Sequence, residues 1–266
     1  IRYSRKPNHS RLSNPINLAN QTKPMKKLLF LATLLPFLHA DAQKLIGGKN
    51  IIKWNVGSMA ARNFHVTYER SLTKNISFSL SYRTMSKGAL PFKDQFKEAI
   101  NSNDINLDNF QIGNTAITPE LRIYLSLGRM KGFYLAPYVR FATFDLGAPI
   151  KYTASTFPLI EKEALFNGKI TSTSAGLMIG YQFQIATKIV LDFQIIGGHY
   201  GTSKGDLNFA SALNPFEEQE LRKNLNEIDA KPFKFTSTVN ASGAQIKSDG
   251  PWAGIRGLNL GLGIRF

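Results

Sequence analysis

Apolar and polar residues take turns along most of this chain, and the pattern is cleanest at its far end. Residues 252–266 read WAGIRGLNLGLGIRF. Leu258, Leu260, Leu262, Ile264 and Phe266 share one face, while Asn259, Gly261, Gly263 and Arg265 share the other. A period of two is the signature of a β-strand. Seven earlier stretches show the same alternation, at about 50–58, 63–70, 75–84, 114–126, 132–146, 171–184 and 188–201. In the third, Ile76, Phe78, Leu80 and Tyr82 stand against Ser77, Ser79, Ser81 and Arg83.

The connections are sorted by length. Those after strands two, four and six are short (71–74, 127–131 and 185–187), and those after strands three, five and seven are long (85–113, 147–169 and 202–251). Only the short link at 59–62 falls on the long side. Short turns at one end and long loops at the other are the habit of outer-membrane barrels. The expected fold is therefore all-β: an eight-stranded antiparallel up-and-down transmembrane β-barrel, with three long extracellular loops carrying short helices and a hairpin. A sheet in lipid must close on itself, because no water is there to satisfy an open edge. Pro119 and Pro137 remove ladder donors from the outward face, so a bulge or an unpaired strand end is expected at each. Tyr68, Phe133, Phe183 and Phe266 suit an aromatic girdle at the short-turn rim.

Parity sends the charged residues inward: Lys53, Glu69, Arg83, Glu120, Arg122, Arg140, Asp192 and Arg265. Eight strands leave an interior that side chains can fill. Buried ions are costly unless paired, and both signs are present here. An ionic plug is expected rather than a pore, with all but Arg83 and Arg140 in the half nearer the short turns. His65 also points inward.

The front of the chain changes the charge picture. Met25 opens MKKLLFLATLLPFLHADAQ, with Lys26 and Lys27 before a short apolar run and Ala40-Asp41-Ala42 as a small-x-small cleavage site. This order is that of a secretory signal peptide. The expected organisation is an unstructured extension at 1–24, a signal peptide at 25–42 cleaved near Ala42, and a barrel at 43–266. The whole chain carries a formal charge of +15. Residues 1–42 hold seven Lys/Arg and one Asp, so 26 basic and 17 acidic residues remain, for +9. That weakens the case for nucleic acid as a partner. There is no cysteine, which excludes disulfides and thiolate metal sites.

Within the long connections, 90–100 places Phe92, Phe96 and Ile100 on one helical face. Asn214-Pro215-Phe216-Glu217 reads as a helix start with a capping box, followed by Leu221, Leu225 and Ile228 on the apolar side. Residues 233–247 read as a hairpin turning near Ser242-Gly243. These pieces are expected to pack over the barrel mouth and against one another, protecting the loops; a surface for an extracellular partner is the alternative reading. The acidic loop residues lack cation-loop spacing, so neither metal nor cofactor is expected, and no phosphate-binding glycine loop or nucleophile elbow occurs. For catalysis at the rim, the candidates are His199 with Thr202 or Ser203, a nucleophile needing a base within reach.

The runs NIIKWN, FHVTYERSLTKNISFSLSYR, GNTAITPELRIYLS, KGFYLAPYVRFA, GGHYGTSKG and GPWAGIRGLNLGLGIRF resemble a Bacteroidota outer-membrane barrel family of unknown function, DUF3575. The resemblance spans 49–266 and brings no catalytic residues. It implies a small outer-membrane barrel of unassigned activity. The expected partners are the lipid of that membrane and the barrel-assembly machinery, the latter through the C-terminal strand and Phe266. The functional expectation is a non-enzymatic, porin-like barrel with a filled interior, structural or surface-interacting. Alternatives are a lipid A-modifying barrel enzyme around His199, a narrow diffusion channel, or a soluble lipocalin-like carrier, which requires the faces to be reversed.

Overall fold

The computed structural model describes residues 48–90, 108–125, 128–228 and 232–266. The expected extension, signal peptide and first loop helix lie outside these residues. The strands are β1 (Asn50–Asn55), β2 (Phe64–Ser71), β3 (Ile76–Ala89), β4 (Gln111–Tyr124), β5 (Gly132–Thr156), β6 (Leu159–Gln184), β7 (Ile189–Ala210), β8 (Lys234–Asn240) and β9 (Gly243–Arg265), with helix α1 (Pro215–Glu227) between β7 and β8. Neighbours pair in the order β1-β2-β3-β4-β5-β6-β7-β9-β8, all antiparallel, and β9 also pairs with β1. Eight strands form a closed ring, and β8 is a short addition along the far half of β9.

The alternation explains which side faces in. Along β3, Ser77, Ser79 and Ser81 are buried, whereas Phe78, Leu80 and Tyr82 are exposed. The same split runs round the ring: Trp54, Phe64, Ile117, Leu121, Phe133, Phe141, Leu177, Phe183, Leu260 and Leu262 are exposed, and polar partners fill the inside. These faces are the reverse of a lipocalin's. Tyr181 bridges Phe133 and Phe183, with ring centroids 4.6 and 4.2 Å apart.

Several sequence expectations are corrected. Strands five to eight run well past their expected ends. The 147–169 connection is mostly strand: β5 and β6 stay paired until Thr156 and Leu159, leaving a two-residue tip. Likewise 202–251 continues β7 to Ala210 and starts β9 at Gly243. Beyond the barrel both faces meet water or the cap, so alternation no longer marks the strand. The short link after β1 is a 3-10 turn, Gly57–Ala61, closed by Arg62 at φ 57. Pro119 and Pro137 produce no bulge. Register is kept, and the cost falls on one seam, where β4–β5 pairing lapses around Glu120–Tyr138, between Ile117–Phe141 and Ile123–Leu135.

The extended hairpins carry a second core. Leu221 and Leu225 of α1 pack against Tyr152 and Phe166 of β5–β6 and against Val239, Ala244 and Ile246 of β8–β9. Ile228, expected on that face, is exposed beyond the helix end. The capping box is formed: the Asn214 side chain accepts from the Glu217 N–H (2.9 Å), and Asn214 N–H donates back to the Glu217 carboxylate (3.0 Å). Lys162 Nζ also reaches Glu217, at 2.7 Å. The Asn214 backbone donor foremost, then Lys162, holds the Glu217 carboxyl below its ordinary value of 4.5. A depressed carboxyl stabilises the fold above its unfolded pKa and loses that contribution as pH falls through the folded one. The protection of the α1 amides, taken relative to their intrinsic exchange rate at each pH, is therefore expected to be high at pH 6 and to fall below about pH 4. Asn214→Ala is expected to bring the lowered protection to neutral pH, at a cost of about 1 kcal/mol.

Candidate functional site

The inward side chains of the short-turn half form a connected ionic cluster. Strand β1 contributes Lys53, β2 Glu69, β4 Glu120 and Arg122, and β7 Asp192, all buried. Register brings them to one level, since β1 lies between β2 and β9, and β9 sets Gly261 beside Asp192. Lys53 Nζ contacts the Glu69 carboxylate and donates to Asp192 (2.7 Å) and to Gln182 Oε1 (2.6 Å), so its three protons are all placed. Arg122 donates through Nε and Nη2 to Glu120 (3.2 and 3.0 Å), and through Nη1 to Asp192 (2.6 Å) and Glu69 (3.4 Å). Two tyrosines complete the carboxylates' shells: Tyr124 Oη donates to Glu69 at 2.7 Å, and Tyr134 Oη to Asp192 at 2.8 Å. Such multiply bonded pairs offset much of the cost of burying charge.

Arg122 lies over the Tyr134 ring, 4.5 Å from its centroid, and Tyr124 packs 5.4 Å from Tyr134. Room for Tyr134 comes from Gly180. A Cβ at position 180 would collide with the far end of the Tyr134 ring. That ring is pinned by Arg122, Tyr124 and Asp192, so it has no free direction to move. Gly180→Ala is expected to cost about 1–3 kcal/mol, the usual penalty of overpacking, read as a lowered urea midpoint of the detergent-folded protein. An unchanged midpoint would show that Tyr134 is not fixed there.

The remaining predicted interior residues are placed differently. Arg265 lies at the rim, where its guanidinium donates to Gln184 (3.2 Å) and to the Met130 carbonyl (3.1 Å). Arg83 donates to Asn63 (2.9 Å) and Arg140 to Thr118 (3.2 Å), both in the half toward the long connections. His65 is buried opposite Arg83. The gap among Lys53, Asn55, His65, Thr67, Asp192, Gln194 and Gly261 holds about 10 Å³, about one water's worth of space.

Three interior features escape a count by twos. Arg256 is 10 % exposed, its Nη2 lies 3.5 Å from Glu120, and it covers the Tyr138 ring at 4.7 Å. Met130, at φ 48, folds into the short-turn end, where its carbonyl takes the Gln182 amide (2.8 Å). His199 is inside, not at the rim, and its imidazole packs on Tyr138 with centroids 6.3 Å apart. Register slips between β6 and β7 at Ile179–Gly180, leaving Ile195 unpaired, and opposite it Leu258 of β9 adopts φ 52. This paired irregularity reverses parity beyond it on both strands, turning His199 and Arg256 inward. Thr202 then lies on the other face from His199. Ser203 is four residues along, about 13 Å at strand rise, and donates to the Gly250 carbonyl at 3.5 Å. The His199 candidates are not brought together.

A family model described as a protein of unknown function, DUF3575, matches residues 28–226. The chain belongs to this family. The match stops short of β8 and β9, whereas the resemblance read from the sequence extends to the last residue. Two solved structures are similar. The N-terminal β-barrel domain of Pseudomonas aeruginosa OprF is 12% identical, with 82% of this chain and 98% of that one covered, at a TM-score of 0.29. A major outer membrane protein from Thermus thermophilus is 16% identical, with 83% and 100% covered, at a TM-score of 0.36. No curated protein matches the chain.

Proposed function

We propose that this DUF3575 chain is a small outer-membrane barrel with a side-chain-filled interior, structural or surface-interacting in role rather than a channel or an enzyme. One observation carries the reading: a closed ring whose exposed face is apolar and whose buried face holds the ions. Water would penalise the first arrangement and a hydrocarbon solvent the reverse. Outer-membrane lipid is then the partner of the outward band. Export through the segment ending near Ala42, and assembly through the C-terminal strand and Phe266, complete the proposed route to that membrane.

The test is direct. Protein expressed with its leader is expected in the outer-membrane fraction, with a gel mobility that shifts on boiling. In planar bilayers it is expected to pass no steady current, because Arg122 and its partners close the bore. Steady unitary conductance would overturn the filled-interior reading, and recovery in the soluble fraction would overturn the location.

The surface-interaction role rests on the β5–β6 hairpin tip. Phe157 and Leu159 are 98 % and 70 % exposed there, beside Ile160 and above a cap with its own core. Apolar groups held out on a rigid arm suit contact with another macromolecule.

A further inference from the structure

The ionic core can be counted to balance. Glu69, Glu120 and Asp192 are matched by Lys53, Arg122 and Arg256. Every inward carboxylate of the described barrel is used in that set. Two inward guanidiniums remain, Arg83 and Arg140, and their hydrogen bonds go to the neutral side chains of Asn63 and Thr118. Arg140 is buried; Arg83 is partly exposed toward the end bearing the long connections.

The wall beside them is also short of partners. Ser174 is the register partner of Arg140, and Ser172 lies two residues further along the same inner face. They are 3 % and 5 % exposed, and neither hydroxyl has a hydrogen-bond partner. Between Arg83 and Ser172 the ring has only Ala116 and Ala142, which offer no polar group to either. Two positive groups with no carboxylate on their hydrogen-bonding nitrogens, on a wall with two buried hydroxyls free to donate, are what an oxyanion requires. Arginine with hydroxyl donors is the usual recognition chemistry for phosphate oxygens.

We propose that the half of the barrel interior toward the long connections is an anion site, built by Arg83, Arg140, Ser172 and Ser174 and suited to a phosphate group. The ligand enters from the end where Arg83 is exposed. The site depends on the closed ring and its register, not on the membrane reading. Both a free phosphate and a phosphorylated lipid headgroup carry the group it fits.

The experiment uses the full chain folded in detergent, with inorganic phosphate as the first probe, followed by calorimetry and by the thermal midpoint. Saturable binding with a raised midpoint is expected, and Arg83→Gln with Arg140→Gln is expected to weaken it at least about tenfold. Vesicles of phosphatidylcholine with and without phosphatidic acid give the second arm. Displacement of bound phosphate only by the acidic vesicles assigns the site to lipid headgroups; no displacement assigns it to soluble phosphate. No binding of either probe, or wild-type affinity in the double variant, overturns the proposal. Should that variant fail to fold, Ser174→Asp decides. It supplies a carboxylate beside Arg140, and is expected to abolish phosphate binding while raising the thermal midpoint. A lowered midpoint would show that this wall lacks no anion, and the site would be rejected.

Discussion

Arg122→Met is expected to lower the stability of the detergent-folded barrel by about 3–5 kcal/mol, the cost of breaking a buried ionic set from one side. Arg122 is fully buried and is the common donor to Glu69, Glu120 and Asp192. Methionine fills similar space but leaves three carboxylates with Lys53 and the more distant Arg256. Urea unfolding followed by tryptophan fluorescence measures the effect. Arg265→Met is the comparison: that guanidinium sits at the rim on neutral acceptors, so about 1 kcal/mol is expected. Equal losses at the two positions would mean that the cluster is not a cooperative unit.

The second large effect tests the outward face. Leu80 lies mid-strand in β3, opposite Tyr68 on one side and Pro119 on the other, and is exposed. Leu80→Arg is expected to cost about 2–4 kcal/mol in lipid vesicles, the penalty of a cation at the depth of the hydrocarbon. Phe157→Arg, at the hairpin tip, is expected to change stability by no more than about 0.5 kcal/mol. If the two behaved alike in vesicles, the apolar band would not be a lipid-facing surface.

Much of this was legible because a strand has a period of two and burial reads that period directly. Counting by twos placed Lys53, Glu69, Glu120, Arg122 and Asp192 on the side where they meet. It failed where the count itself is interrupted. The opposed irregularities at Ile195 and Leu258 reverse the faces beyond them, so His199 and Arg256 enter the interior although simple alternation sends them to the rim or outside. A signal was present in both cases: Ile195-Ile196 breaks the alternation, and an arginine on a face otherwise reserved for leucine and isoleucine argues for a flip. Nothing local marks the Met130 side chain for burial inside the barrel, although its turn was legible, since that position depends on Gln182 and Arg265 from distant strands. The lengths of β5, β6, β7 and β9 were hidden for a different reason. Their outer halves build the cap, where the helix cap at Asn214 and the turn at Ser242 could be read, but the surrounding strands carry no lipid-facing stripe.

The shortness of β1 has a consequence for how the ring is completed. Six residues clasp the two ends of a continuous meander, β2 on one side and the last turnings of β9 on the other. Within that clasp Lys53 puts its ammonium between Glu69 and Asp192. Latching the circle therefore also brings the second cation to its acids. A meander left unlatched would leave Glu69 and Asp192 with Arg122 alone in place of two cations, so opening β1 costs its ladder and an ion pair together.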